Sequence, residues 1–499
     1  MSTATGRQAS DSRSLPIETN GINVISDGER KGRPRDLFWP WFGANVSVLG
    51  LSYGAFVLGF GISFWQAVVV GAIGVVISFL LCGFVAIAGK RGSAPTMILS
   101  RAAFGVRGNK LPSFISWVLT VGWETVLVIL ATLATATVFE RLHWGSGVAV
   151  KIVAMLVVTA LTIGGGVAGF DVIMRMQKWI TIITGVLTVG YVLLVAKHVD
   201  LHAVTQLPAG GPTAVLGAFI FVMTAFGLGW VNAAADYSRY LPRGASGRGV
   251  IGWTTFGGAL APVILIVFGL LLAGSSKDLS AQIGADPIGA LASLLPTWFL
   301  VIFVLVAVLG LVGGAVLDIY SSGLALLSLG LKVQRHIAAL IDGTIMLAGT
   351  VAVLFFATGS TFITQFQGFL ITLGVPVAAW AGVMLADILL RRRDYAEPEL
   401  YDPRGRYGAV QADALVLVVI GTALGWGLVT NSLAGWLTWQ GYLLQPLNLG
   451  GRAGAWAYSN IGVLLALLLG FLGTLILAPR RVRRQEGAPP RRNGQPDYS

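Results

Sequence analysis

The side chains with the clearest chemical potential are two carboxylates inside long apolar runs. Glu124 follows Trp123 near the centre of one run, and Asp318 precedes the hydroxyl pair Ser321 and Ser322 in another. A carboxylate at the centre of a bilayer costs about 2.5–3.5 kcal/mol and usually faces a cavity or a partner. Because carboxylate, hydroxyl and carbonyl oxygens also suit a small cation, these residues predict a binding site. Hydrogen bonding between helices is the alternative.

Two apolar runs are interrupted by glycines that lie beside polar or aromatic side chains. The run 213–235 contains Phe226-Gly-Leu-Gly-Trp230, and the run 39–60 carries an amide and two hydroxyls among three glycines. Glycine is common in membrane helices. Interrupted helices in corresponding positions of two halves nevertheless point to a binding site at the midplane. The lining residues expected from these two runs are Asn45, Ser52, Gly229 and Trp230.

The composition predicts an all-α polytopic membrane protein. The chain has 499 residues, of which 55% are hydrophobic and 11% charged, whereas soluble proteins carry about 25% charged residues. Apolar runs of spanning length predict twelve transmembrane helices. They are placed at 39–60, 62–88, 112–138, 148–169, 179–196, 213–235, 250–273, 297–329, 336–357, 362–390, 410–430 and 458–478.

The charge distribution predicts the orientation. With the N-terminus inside, only five of the 34 Lys and Arg residues fall outside the cell, namely Arg141, Lys151, Lys197, Lys277 and Arg452. This asymmetry satisfies the positive-inside rule and accounts for the net charge of +12 without a nucleic-acid partner. We therefore expect a protein of the cytoplasmic membrane whose two termini are cytoplasmic.

The chain divides into five expected segments around a single helical bundle. A disordered cytoplasmic tail (1–35) precedes two five-helix units (36–200 and 201–395), and a final helix pair (396–479) leads into a basic cytoplasmic tail (480–499). The absence of a deep His or of a metal-ligand cluster argues against an enzyme. The sequence indicates no cofactor, and its expected partners are the lipid bilayer and a small molecule. The expected oligomeric state is a monomer or a weak oligomer.

Other residues and segments outside the two interrupted runs also have predicted roles. Gln365 and Gln367 lie near the expected outer end of 362–390, where they could touch a ligand. The segment 274–296 could form an external lid helix, and 94–104 a short amphipathic helix on the inner interface. Asp342 and Asp387 lie near helix ends beside basic residues, which predicts interfacial ion pairs.

Six stretches, in order along residues 33–408, resemble the nucleobase:cation symporter-1 family in its purine–cytosine permease branch. They are Trp41–Asn45, Gly89–Pro95 with Ser100–Gly105, Gly122-Trp123, Trp230 with Asp236–Pro242, Asp318–Ser321 and Tyr401–Tyr407. The resemblance implies twelve helices arranged as two inverted five-helix repeats plus two extra helices, a LeuT-like fold. It also implies cation-coupled uptake of a flat heterocycle.

The resemblance assigns roles to individual residues. It implies that Trp123 and Trp230 sandwich the ring of the substrate, since stacking on an aromatic face is worth about 1–3 kcal/mol per base. Leu127 stands where relatives often carry an amide that binds the edge of the base, and Asp318 where they commonly carry Asn. Glu124 could replace the missing amide. Two acids in place of amides favour a ligand that is rich in N–H donors, such as cytosine, or positively charged.

The coupling ion is left open between Na⁺ and H⁺. In sodium-coupled relatives a hydroxyl pair on the eighth helix and carbonyl oxygens of the first helix hold the ion, which implies Ser321 and Ser322 with the carbonyls of Ala44 and Val48. A carboxylic acid at Glu124 or Asp318 could instead carry a proton, because a low-dielectric site favours the neutral form.

These observations predict a secondary active transporter that imports a nucleobase-like heterocycle by alternating access. A symporter of the same fold for allantoin, a hydantoin, a vitamin such as thiamine, or an amino acid is the alternative. An ion channel is a more distant one, since no repeated filter motif is visible in the sequence.

Overall fold

A computed structural model describes residues 18–356, 362–431 and 435–488, and every regular element in these ranges is helical. The first half of the chain contains α1 (Phe38–Asn45), α2 (Leu49–Leu58), α3 (Phe64–Gly92), α4 (Thr96–Leu99), α5 (Arg101–Phe104), α6 (Lys110–Arg141), α7 (Val148–Ala168), α8 (Phe170–Val195) and α9 (Leu201–Thr205).

The second half repeats the pattern of one broken helix followed by long helices. It contains α10 (Pro212–Ala225), α11 (Gly227–Trp230), α12 (Ala234–Ser238), α13 (Gly247–Ser275), α14 (Lys277–Ala285), α15 (Pro287–Ser293), α16 (Leu300–Ser328), α17 (Arg335–Val351), α18 (Phe362–Leu390), α19 (Ala412–Trp426), α20 (Ile461–Leu477) and α21 (Pro479–Gly487).

The membrane-spanning character follows from helix length and composition. In the described ranges nine helices are long and apolar enough to cross a bilayer, and two bent pairs raise the count to eleven. One bent pair joins Pro34–Asn45 to Leu49–Leu58 at 68°. The expected span at 410–430 corresponds to α19, which has only 15 residues. The all-helical fold class is thus confirmed, whereas the count of twelve is not reproduced.

Close helix contacts in the bundle centre depend on small residues. A Cβ at Gly54 of α2 would lie 2.1 Å from the carbonyl carbon of Gly269 in α13, and one at Gly227 of α11 would lie 2.2 Å from the backbone of Ser78 in α3. These pairs of backbones touch directly, so a side chain at either glycine would force the helices apart. The contacts fix both interrupted helices against α3 and α13.

The two ends of the bundle carry different elements. One end, here called the outer face, carries the short helices α14 and α15, which form the segment expected to act as a lid. The opposite end, the inner face, carries α4 and α5. Residues 94–104 were expected to lie on the membrane interface as an amphipathic helix. That prediction is wrong, because residues 94–104 are all buried, including Arg101.

The ends of the chain are more structured than their composition predicts. Residues 18–35 pack on the inner face, where the Ile25 amide donates to the Ser93 carbonyl at 2.8 Å. The start of the expected basic tail forms α21, which turns by 58° away from α20. The remaining residues of both expected tails, 1–17 and 489–499, lie outside the described residues.

Candidate functional site

Two helix breaks lie at the centre of the bundle. Between α1 and α2 the regular hydrogen bonding stops at Val46, whose φ of −85° and ψ of 80° are not helical. Between α10 and α11 the break falls at Phe226, with φ −113° and ψ −113°. The Gly227 amide that follows donates to the Ser78 hydroxyl at 3.0 Å. Both interruptions expected from the glycine pattern are therefore present in the structure.

The two mid-span tryptophans lie beside the second break. A Cβ at Gly229 would lie 3.5 Å from the indole nitrogen of Trp123, so this indole reaches the residue just before Trp230. The Trp230 ring packs edge-on against Trp41 with centroids 5.8 Å apart, and Trp123 packs edge-on against Phe366 at 4.9 Å. Both indoles are only partly buried. The structure thus brings Trp123, Gly229 and Trp230 together.

The surface of α16 that faces the first break is formed by glycines. A Cβ at Gly310 would lie 2.6 Å from the Val46 carbonyl oxygen, one at Gly313 would lie 3.0 Å from that of Gly43, and one at Gly314 would lie 3.4 Å from that of Ala44. The carbonyl oxygens of the break therefore lie against residues that have no side chain. Here α16 contributes no side-chain oxygen to a cation.

The expected sodium ligands are separated by this arrangement. Ser321 and Ser322 come eight residues after Gly313 and Gly314, about 12 Å further along the helix at 1.5 Å per residue. The Ser321 hydroxyl pairs with Tyr237 at 3.2 Å, and that of Ser322 donates to Glu124 at 3.3 Å. The structure does not bring either hydroxyl to the carbonyls of Ala44 and Val48, so these four residues do not form the cation site that was expected.

Glu124 lies in a group of buried acids. The Glu124 side chain is fully buried; its Oε2 accepts from Ser322, whereas its Oε1 has no hydrogen-bond partner among the described residues. Asp342 of α17, also fully buried, accepts a 2.8 Å hydrogen bond from the Trp117 indole, and within the described part of the chain its Oδ2 has no hydrogen-bond partner. The expected interfacial pairing of Asp342 is therefore wrong, because Arg335 turns instead to the carbonyls of Gly166 and Val167. Asp387 does pair with Arg391, at 2.6 Å.

Asp318 occupies the same row of α16 as Gly314 and Ser322, at intervals of four residues. Its side chain is 2% exposed, and its Oδ2 has no hydrogen-bond partner in the ranges that the structure describes. Tyr237, from the end of the second interrupted helix, lies beside it and donates to the Leu317 carbonyl at 2.8 Å. Asp318 thus faces the interior of the bundle, close to both α6 and the broken helix.

The remaining expected site residues lie at different depths. The Asn45 amide donates to the Trp41 carbonyl at 2.7 Å within its own helix. Ser52 is fully buried, and its hydroxyl forms no hydrogen bond to any residue that the structure describes. Gln365 is exposed near the start of α18, whereas Leu127 contacts Gly314.

A cavity opens toward the outer face. Its volume is about 840 Å³, and its wall includes Phe56, Phe221, Lys277 of α14 and Gln367 of α18. Trp123 and Trp230 are not among its lining residues. We therefore regard the cavity as a vestibule and the indole pair as the site below it, since the chemistry lies with the indoles and the breaks.

The inner face is closed by the segment 18–35, which sequence reasoning assigned to a disordered tail. Glu18 accepts a 2.7 Å hydrogen bond from the Phe170 amide and a 3.1 Å hydrogen bond from the Tyr320 hydroxyl. It also pairs with Arg239 at 3.2 Å and with Arg335 at 3.5 Å. One carboxylate thus connects four long or broken helices. No local sequence signal marks it, because its partners lie more than 150 residues away.

The electrostatics of the inner face favour this closure. Burial alone lowers the pKa of Arg239, but the phenols of Tyr320 and Tyr240 and the Glu18 carboxylate raise it above its ordinary value. Burial raises the pKa of Tyr240, with Glu18 contributing in the same direction. Arg239 therefore stays charged and Tyr240 stays neutral at physiological pH, which keeps both as hydrogen-bond donors to Glu18.

The bundle contains two interrupted helices that meet beside a pair of indoles. A vestibule opens at its outer face, and the contacts of Glu18 close its inner face. These features define a multi-pass membrane transporter. The family model described as permeases for cytosine/purines, uracil, thiamine and allantoin matches residues 24–444. The chain belongs to this family, the nucleobase:cation symporter-1 family, and its relatives are permeases and not enzymes.

Individual relatives agree with this assignment. YxlA of Bacillus subtilis, which carries a purine-cytosine permease name, is 24% identical over 416 residues, covering 82% of this chain and 88% of its own. The purine-cytosine permease FCY21 of Saccharomyces cerevisiae is 29% identical over 246 residues, or 46% of this chain and 43% of its own.

Solved structures share the fold. MHP1, a nucleobase-cation-symport-1 family transporter in a closed conformation with bromovinylhydantoin bound, is 19% identical with a TM-score of 0.67, covering 95% of this chain and all of its own. A Na⁺-coupled sialic acid symporter, in a substrate-bound outward-open state, is 13% identical with a TM-score of 0.60, covering 91% of this chain and 92% of its own. These likenesses confirm the LeuT-like fold.

Proposed function

We propose that this transporter imports a nucleobase-like heterocycle, with cytosine or a purine as the first candidate, by cation symport and alternating access. The observation that carries the proposal is the position of two mid-span indoles, Trp123 and Trp230, at the second helix break. Both remain partly exposed inside the bundle. An aromatic face suits any flat base, because stacking depends little on the identity of the base.

The transport cycle follows from the two ends of the bundle. The vestibule gives the substrate a route from the outer face, while Glu18 and its partners close the inner face. Substrate would stack at the indoles, the vestibule would then close, and the Glu18 contacts would break to open the inner face. By the positive-inside rule the inner face is cytoplasmic, so the direction is import across the cytoplasmic membrane.

Polar specificity would come from backbone groups at the break and from the acids nearby. Glu124 is next to Trp123 in sequence, but successive helix residues project about 100° apart, and Glu124 points to Ser322 on α16. Asp318 lies nearer to the broken helix through Tyr237. We therefore assign base-edge recognition first to Asp318 and to the exposed backbone at Gly229, with Asn45 and Ser52 as more distant contributors.

Uptake and binding in proteoliposomes test this proposal. Trp123→Ala and Trp230→Ala should each weaken cytosine binding by about 5- to 150-fold, as expected for losing about 1–3 kcal/mol of stacking. Trp179→Ala is the matched control, because Trp179 is 58% exposed on the outside of α8.

Competition by a purine, allantoin, a hydantoin and thiamine identifies the preferred ring. Equal loss of binding in the Trp179 control, or full activity in both site variants, would contradict the assignment of the site.

A further inference from the structure

The buried acids around Ser322 suggest what the coupling ion is. Glu124 and Asp342 are both fully buried, and each has one carboxyl oxygen that no described residue contacts through a hydrogen bond. The Ser322 hydroxyl donates to Glu124 at 3.3 Å and also lies beside Asp342. Two carboxylates that share a site of low dielectric cannot both be ionised. At least one proton must therefore reside on this pair.

The surrounding charges do not change this conclusion. Asp318 on α16 also lies close enough to repel a charge on Glu124. Tyr237 of α12 lies close to Asp318, and the carboxylate of the neighbouring Asp236 accepts a hydrogen bond from the Thr96 amide at 2.8 Å. Within the described ranges no Lys, Arg or His forms an ion pair with Glu124, Asp318 or Asp342. The negative charges are thus not compensated by a cationic side chain.

The sodium alternative does not fit the residues that are present. The carbonyls of the first break lie against Gly310, Gly313 and Gly314, and the two hydroxyls of α16 that could complete a sodium site point elsewhere. A hard cation such as Na⁺ requires several convergent oxygen ligands. In this chain the convergent oxygens belong to the acid pair and Ser322.

The acids also lie in a row that leads inward. Glu124 is fourteen residues from the inner end of α6, whereas Trp117 is seven residues from that end. The Trp117 indole donates a hydrogen bond to Asp342. Asp342 is likewise seven residues from the inner end of α17. Ser322 is six residues from the inner end of α16, so Ser322 and Asp342 both lie nearer to the inner ends of their helices than Glu124 does. Glu124 is therefore the member of the group nearest the substrate side, and Ser322 and Asp342 lie on its cytoplasmic side.

The geometry points to a proton as the coupling ion, carried by Glu124 beside the substrate site and passed through Ser322 to Asp342, with Asp342 as the inward relay. In the transfer, the Ser322 hydroxyl accepts the proton of the Glu124 carboxylic acid and donates its own proton to the Asp342 carboxylate. Glu124 becomes a carboxylate, Asp342 becomes a carboxylic acid, and the hydroxyl is restored. This inference rests on the proposed symport.

Purified full-length protein in proteoliposomes tests the inference, with labelled cytosine as the probe. For one proton per substrate, a pH difference of about one unit supports about a tenfold accumulation, and wild type should reach it without sodium. Asp342→Asn should reduce accumulation to about onefold, while exchange of labelled for unlabelled cytosine at equal pH continues. Ser322→Ala should slow pH-driven accumulation but not exchange.

Controls separate folding from coupling. Asp278→Asn removes an exposed acid of α14 and should leave accumulation unchanged. Elution as a single species on size exclusion shows that each variant is folded. Accumulation driven by a sodium gradient at equal pH, or tenfold accumulation by Asp342→Asn under a pH gradient, would overturn the inference.

A readout that needs no substrate keeps the two proposals distinguishable. Infrared spectra of the purified protein at neutral pH should contain a carboxylic-acid C=O band that loses intensity in the double variant Glu124→Gln/Asp342→Asn. An unchanged band would overturn the proton pair even if cytosine is transported. A band that is lost as expected, without any cytosine exchange, would support the pair and contradict the proposed substrate.

Discussion

The sharpest prediction concerns Glu18, whose carboxylate connects the N-terminal segment to the inner ends of four helices. Replacing it by Gln preserves its size and one acceptor oxygen but removes the negative charge between Arg239 and Arg335. Hydrogen bonds to charged groups contribute about 1.5–3 kcal/mol each. The side chain is only 10% exposed, and its two arginines are 0% and 1% exposed, so solvent screening is weak.

We expect Glu18→Gln to destabilise the closed inner face by about 2–3 kcal/mol, which corresponds to about a 30- to 150-fold larger population of the open form. The assay is hydrogen–deuterium exchange of the N-terminal segment. Two amides report on its attachment, since Ile25 donates to Ser93 and Lys31 donates to the Tyr240 carbonyl at 2.7 Å. Their exchange should accelerate by the same factor, because local opening controls exchange.

Glu29→Gln is the matched control for this experiment. Glu29 belongs to the same segment, but its partners are the neighbouring Ser26 and Asn20, so it does not connect the segment to the bundle. Exchange of Ile25 and Lys31 that is unchanged in Glu18→Gln, or equally fast in both variants, would refute the view that Glu18 holds the inner face closed.

Three further changes test the packing that positions the site. Gly169→Ala should detach the N-terminal segment 18–35 much as Glu18→Gln does, because φ at Gly169 is +91° and a Cβ there would lie 2.4 Å from Glu18. Faster hydrogen–deuterium exchange of the Ile25 and Lys31 amides would show it. Gly227→Ala should lower the thermal midpoint in detergent, with a cost of about 1–3 kcal/mol or more from overpacking, since its Cβ would overlap the α3 backbone. Arg391→Gln should cost up to about 3–5 kcal/mol by leaving the buried Asp387 carboxylate with only the longer 3.7 Å ion pair to Arg481, and thermal unfolding of the variant measures it.

The sequence predicted the features that depend on local pattern. The glycines beside Trp230 and the polar residues after Trp41 predicted two interrupted helices, because each signal lies within one turn of the break it describes. The structure places the Trp123 indole beside Gly229, whereas the stacking roles of Trp123 and Trp230 were implied by the family resemblance and stay a prediction. The all-helical class followed from hydropathy alone.

The sequence did not predict the features that depend on which turns of two packed helices lie side by side. Ser321 and Ser322 have the right chemistry for a cation, but only packing decides which turn of α16 meets the break in α1 and α2. The residues there are Gly310, Gly313 and Gly314. Asp342 was misread for the same reason, since its partner Trp117 is 225 residues away and leaves no local signal.

The helix α16 explains how one element could link the ion to the substrate. Gly310, Gly314, Asp318 and Ser322 recur every four residues, so they form one continuous row along the helix. The upper part of the row lies against the carbonyls of the first break, and the lower part lies against Glu124. Because the glycines have no side chains, the broken helix can tilt over this part of the row without losing side-chain contacts. The acids below cannot follow such a tilt without changing their hydrogen bonds. Under the proposed proton coupling, a movement of the break would change which carboxyl of the pair Glu124 and Asp342 holds the proton, and by reciprocity loss of that proton would favour a different position of the break.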